Sequence, residues 1–214
     1  MHFEVPSWCR STTRFSRIAR LVRATRPQTL FLLDQAHIEF VADGYPDGLS
    51  LLGRPNFNCV LLRTFSKAYG LAGLRIGYAI CSEGNRTGGR KGEAPFNVNA
   101  AAQMAAIAAL SDQEWMKSAV TRVVAERGRL ASRLSALGLR VADSQTNFLF
   151  FRTAMPGTTL AESLLKDGIV VKPWREAGYT NWSRVYRGDT GGKRSLPGFG
   201  RKHHRRFAHR DEFL

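Results

Sequence analysis

The chain has 214 residues, 43% of them hydrophobic, enough to bury a core in one or two small domains. No apolar run is long enough to cross a membrane and no charged-then-apolar leader opens at Met1, so neither a span nor a secretory signal is expected. The formal charge of +15 crowds into residues 10–26 and 193–210 with no zinc-finger, ribonucleoprotein or helix-turn-helix pattern beside it, which argues against nucleic acid as a partner.

In chain order, Phe15, Ile18, Ala19, Leu21 and Val22 recur at helical spacing and predict an amphipathic helix over residues 16–25. Apolar runs at 30–34 and 58–63 read as strands, joined by a Gly/Pro/Asp-rich connection at 43–53. Residues 76–81 read as a further strand, and the Gly-rich, charged stretch 82–93 as a surface loop. Residues 95–137 are predicted helical, first alanine-rich and then, from Trp115, as a bridge to a second domain. Strands are expected at 139–142, 147–151 and 169–171, with a helix at 158–166. Strands alternating with helices indicate an α/β fold with a mostly parallel sheet, followed by a small α+β domain. Cys9, Cys59 and Cys81 are odd in number and lack metal-ligand spacing, so they read as reduced thiols of a cytoplasmic protein with no metal site.

The chemistry concentrates in Arg63-Thr-Phe-Ser-Lys-Ala-Tyr-Gly-Leu-Ala-Gly-Leu-Arg75. Lys67 follows a strand-like run and is flanked by small and hydroxyl residues, an arrangement that suits an amine bonding to the aldehyde of a phosphorylated cofactor. Ser66 and Arg75 can hold an anion beside it, because a hydroxyl and a guanidinium fork both match phosphate oxygens. Upstream, Leu32-Leu-Asp-Gln-Ala-His-Ile-Glu-Phe40 places Asp34 at the end of an apolar strand, where open α/β sheets collect ligand-binding groups. A strand-end aspartate also commonly caps a turn.

Both segments resemble fold-type-I pyridoxal-phosphate enzymes, and the wording of residues 70–75 resembles the histidinol-phosphate aminotransferase branch of the class I/II aminotransferases. The same wording argues against a decarboxylase of that fold. The resemblance implies that Lys67 holds pyridoxal 5'-phosphate covalently and that Asp34 pairs with its ring nitrogen. His37 stands where the family usually has a tyrosine bonding the ring oxygen, and Arg184 where it has the arginine that grips the substrate carboxylate. Pro95-Phe-Asn-Val-Asn, Ser144-Gln-Thr-Asn-Phe-Leu and Gly168-Ile-Val-Val-Lys-Pro match family segments in order, so the resemblance covers residues 18–185.

It implies a partial cofactor-binding large domain at 1–112, a small C-terminal domain at 113–186 and a basic tail at 187–214 foreign to the family. The implied reaction is transamination between histidinol phosphate and 2-oxoglutarate, in histidine biosynthesis. An aromatic amino-acid aminotransferase and a non-catalytic fragment of such an enzyme are the alternatives, with a basic nucleic-acid-binding protein behind them. Family members work as homodimers. The segments that precede the first helix in the family have no counterpart in residues 1–17, which implies truncation. Reading the codons of residues 189–198 one base later permits Thr-Pro-Glu-Glu-Asn-Asp-Arg-Phe-Leu-Ala, the family segment due there, which implies a frameshift.

Overall fold

The computed structural model describes residues 20–186, apart from 22–23, 25, 27, 46, 53–57, 84 and 86–93. Most of the helix expected at 16–25, most of the loop at 82–93, residues 1–17 and the basic tail therefore lie outside the described residues. The chain divides into two compact units, the first ending at Thr121 and the second continuing from Arg122.

In the first unit, β1 (Phe31–Asp34), β2 (Cys59–Thr64) and β3 (Gly77–Cys81) form a sheet in that order. The apolar runs form strands because alternate side chains turn to opposite faces. Cys59 and Leu61 are buried, whereas Leu62 is exposed. β1 and β2 are parallel, in register from Phe31 opposite Cys59 to Asp34 opposite Leu62. β2 and β3 are antiparallel, from Val60 opposite Cys81 to Thr64 opposite Gly77. One pairing of each kind departs from the mostly parallel sheet expected. The reason lies in the connection at 65–76, which holds a single 3-10 turn, Ala72–Leu74, rather than a helix able to return the chain to the far end of the sheet.

The β1–β2 connection carries two 3-10 turns, Ile38–Phe40 and Gly48–Leu51, which bury Phe40 and Leu51. Asp47 caps the second, its Oδ1 accepting the Leu49 N–H at 3.0 Å. Beyond β3, α1 (Ala100–Ser111) is capped by Asn99, whose Oδ1 accepts the Ala102 N–H at 2.8 Å. The stretch predicted helical over 95–137 divides at Asp112, whose Oδ1 accepts the Trp115 N–H at 3.1 Å and so starts α2 (Gln113–Ala136).

The second unit adds β4 (Arg140–Val141), β5 (Leu149–Arg152), α3 (Gly157–Leu165), β6 (Lys172–Pro173) and β7 (Trp182–Val185). Its sheet order is β4-β5-β7-β6, antiparallel at every pairing. Leu130 and Leu134 of α2 and Leu160 and Leu164 of α3, four residues apart on each helix, pack on Leu149 and Phe151 of β5. Phe148 and Phe150 alternate with them and form a second cluster with Trp182, whose ring stacks on Phe150 at 4.7 Å. β7 is not among the predicted strands, and it lies inside the sheet rather than at its edge. Among the described residues, no helix is long and apolar enough to cross a membrane.

Candidate active site

Asp34 is the last residue of β1, and Lys67 comes three residues after the end of β2. Because β1 and β2 run parallel with Asp34 opposite Leu62, both residues belong to the carboxyl end of the same strand pair. The Asp34 carboxylate takes the Ala36 N–H on Oδ1 at 3.0 Å, and the Gln35 N–H bonds Leu62 O at 2.8 Å. The turn-capping role open to a strand-end aspartate is thus present, and it uses one carboxylate oxygen.

Lys67 projects from a loop closed by its own backbone. Phe65 donates its N–H to Ile76 O at 3.2 Å and accepts the Leu71 N–H at 2.9 Å, while Gly70 donates to Lys67 O at 3.1 Å. Gly70 takes φ +71°, the left-handed geometry that favours glycine at this turn. Phe65, Ala68 and Tyr69 are buried around the exposed lysine, with the Phe65 ring 5.1 Å from Tyr69 and 5.4 Å from Tyr78. Among the described residues, the Lys67 amine has no hydrogen-bond or ionic partner. Ser66 is fixed by its backbone, its N–H donating to Thr64 Oγ1 at 3.1 Å, and its half-buried hydroxyl has no partner among the described residues. Arg75 ends the 3-10 turn at φ 53° and donates from Nη1 to Ala72 O at 2.8 Å. A non-glycine residue in that left-handed conformation is strained, a feature that concentrates at ligand sites. His37 is half-buried on the turn after β1, its ring 6.3 Å from that of Phe40.

Arg184 belongs to the second unit. It is paired with Phe150 and Lys172 across β7, its guanidinium lies 4.9 Å from the centre of the Phe148 ring, and its Nε is buried without a partner among the described residues.

One group was passed over in the sequence. The half-buried Arg63 on β2 donates from Nη2 to Asp47 Oδ1 at 2.6 Å and to Gln35 Oε1 at 3.1 Å. Burial opposes the guanidinium charge, but the Asp47 carboxylate outweighs it and raises the Arg63 pKa. Burial likewise opposes the Asp47 charge, and the Leu49 N–H and Arg63 together hold its carboxyl below the usual value. The available signal was an arginine inside an apolar strand, which calls for a partner when half-buried. Nearby, burial raises the Glu39 carboxyl, and its Oε2 is buried and unpaired.

An exposed free amine, a carboxylate with one uncommitted oxygen, a free hydroxyl and a guanidinium on neighbouring loops form a donor set suited to a carbonyl-bearing, phosphorylated ring. The amine can add to the carbonyl, and the hydroxyl and guanidinium match phosphate. The donors fit pyridoxal phosphate.

The sequence profile of the aminotransferase class I and II family matches residues 14–190, and the chain belongs to that family. It is 43% identical over 171 residues to histidinol-phosphate aminotransferase 3 of Rhizobium meliloti (strain 1021), covering 79% of this chain and 46% of that protein. It is 40% identical over 162 residues to an aromatic amino acid aminotransferase of Mycolicibacterium smegmatis, covering 75% and 45% respectively. The crystal structure of histidinol-phosphate aminotransferase from Sinorhizobium meliloti in complex with pyridoxal-5'-phosphate superposes with a TM-score of 0.70 at 31% identity, over 80% of this chain and 47% of that one. The chain spans about half the length of the curated relatives it matches. The family match contains the whole of the stretch over which the resemblance was read.

Proposed function

We propose that this chain carries the cofactor-holding half of a pyridoxal-phosphate-dependent aminotransferase, of the type that moves an amino group between histidinol phosphate and 2-oxoglutarate. The observation that carries this reading is the free amine of Lys67 at the same strand ends as Asp34. The identity to histidinol-phosphate aminotransferases supports the substrate assignment. An aromatic amino acid as amino donor is the second reading, favoured by the 40% identity to the mycobacterial relative.

Lys67 would hold the cofactor through its amine and would move the proton at the substrate Cα. Ser66 and Arg75 hold the phosphate. Asp34 keeps negative charge beside the ring nitrogen, and His37 donates a hydrogen bond to the ring oxygen in place of the usual tyrosine. When bound, pyridoxal phosphate supplies the sink for electrons left at Cα. Arg184 takes the substrate carboxylate in a bidentate pair, which fixes the rotation of the Cα substituents. The domain limits proposed are 1–112, 113–186 and a tail at 187–214, and the working assembly is a cytoplasmic homodimer.

Incubating purified chain with pyridoxal phosphate and borohydride tests the site. Mass spectrometry finds the reduced adduct on Lys67, and Lys67→Ala abolishes it. An adduct spread over surface lysines, or none, overturns the reading. Amino transfer to 2-oxoglutarate from histidinol phosphate, compared with that from an aromatic amino acid, decides between the two substrate classes.

A further inference from the structure

The cluster of Gln35, Arg63 and Asp47 has no part in the chemistry above, yet it joins the two segments that chemistry needs. We propose that Arg63 is a positioning residue that sets Asp34 relative to Lys67, by tying the turn after β1 to the strand that leads into the lysine loop. The proposal rests on the cofactor reading just given.

Three observations support it. First, the guanidinium fork reaches acceptors on two separate segments. Nε and Nη2 approach Gln35 Oε1 at 3.4 and 3.1 Å, and Nη2 approaches Asp47 Oδ1 at 2.6 Å. Gln35 also helps to lower the Asp47 pKa, so the three side chains act as one cluster. The Arg63 side chain is only 13% exposed, so water competes little for these contacts. Gln35 directly follows Asp34 and bonds Leu62 O through its backbone, so any shift of Gln35 is passed to the aspartate.

Second, Arg63 faces the lysine loop as well. It stands opposite Tyr78 on β3, which helps to raise its pKa, and the Tyr78 ring lies against Phe65, whose backbone holds both ends of that loop. Third, the turn that presents Asp47 seats only because residue 48 is glycine. A Cβ there would stand 2.6 Å from Leu61 Cδ2 and 3.1 Å from Gln35 Nε2. A plain stabilising ion pair would need neither the second acceptor nor this close seat. A lysine keeps the charge but loses the planar fork and the Nε contact to Gln35, so it holds the two acceptors in a less fixed geometry.

The test uses the full chain titrated with pyridoxal phosphate, reading its affinity and the visible circular dichroism per bound cofactor, which reports how rigidly the ring is oriented. Arg63→Lys and Gln35→Leu are compared with Arg129→Gln, whose ion pair with Glu126 lies in the other unit. Both cluster variants are expected to bind about tenfold more weakly and to lose more than half the dichroism per bound cofactor, because small misplacements are costly at such sites. The Arg129 variant keeps both values. Gln35→Leu retains the Arg63–Asp47 pair, so it decides the matter if Arg63→Lys does not fold. Normal affinity and dichroism in Gln35→Leu overturn the positioning role while leaving the cofactor reading in place. A wild-type chain that binds no cofactor overturns both.

Discussion

Glu39 and Asp47 lie on the same β1–β2 connection, and their carboxyls shift in opposite directions. Burial raises the Glu39 carboxyl above the usual carboxylate range. A carboxyl whose folded pKa is raised stabilises most below its unfolded pKa and loses that contribution as pH climbs through the folded value. At neutral pH the Glu39 charge is therefore a burden, and Glu39→Gln is expected to raise the unfolding free energy at pH 7 by less than about 1 kcal/mol after solvent screening. The gain vanishes near pH 4, as urea titrations across that range would record. Asp47, held below 3.8 by the Leu49 N–H and Arg63 against the cost of burial, behaves in reverse. Its contribution is present above its unfolded pKa and is lost as pH falls through the lower folded value. Asp47→Ala removes a cap and an ion pair together, for a loss of about 1–2 kcal/mol at pH 7 that shrinks in acid.

At the scale of elements, the β2–β3 pairing depends on the absence of one side chain. A Cβ at Gly77 would lie 2.8 Å from Arg63 O, a backbone atom that cannot swing away. Gly77→Ala is expected to destabilise the first unit by about 1–3 kcal/mol and to speed amide exchange across β2 and β3. Exchange unchanged from wild type would show that the strands part without cost. α1 and α2 are separate helices for an equally local reason, since Asp112 offers its carboxylate to the Trp115 N–H. That break was readable as an N-cap residue ahead of a helical run, and the alanine-rich pattern masked it.

For the whole molecule, the exposed apolar surface matters most. Met104 and Ile107 of α1 are 67% and 61% exposed, and Leu32 and Leu62 of the sheet are 63% and 37% exposed. Met104 and Ile107 are three residues apart and share one helix face. Such uncovered apolar surface favours association. Replacing both with glutamine is expected to raise the concentration at which light scattering begins while far-ultraviolet circular dichroism stays the same. Scattering at an unchanged concentration would place the sticky surface elsewhere.

The contiguous runs around Lys67 and Asp34 were readable because their chemistry is local: an amine, a hydroxyl and an arginine within one loop, and a carboxylate closing one apolar strand. Three strands of the first unit were readable for the same reason, as short apolar stretches bounded by turn residues. The direction of β3 was not, because a strand's pattern is the same whichever way it runs, and only the shortness of its connection decides. β7 was missed because Trp182, Ser183 and Arg184 show no apolar alternation; its place inside the sheet comes from hydrogen bonds to β5 and β6. By itself the sequence determined the family and supplied the residues proposed for its chemistry. Only the tertiary structure decided that Asp34 and Lys67 share one end of a parallel pair and that Arg63 binds Gln35 and Asp47. Those relations join residues 16 to 33 positions apart, and no local pattern encodes a contact that chain folding alone creates.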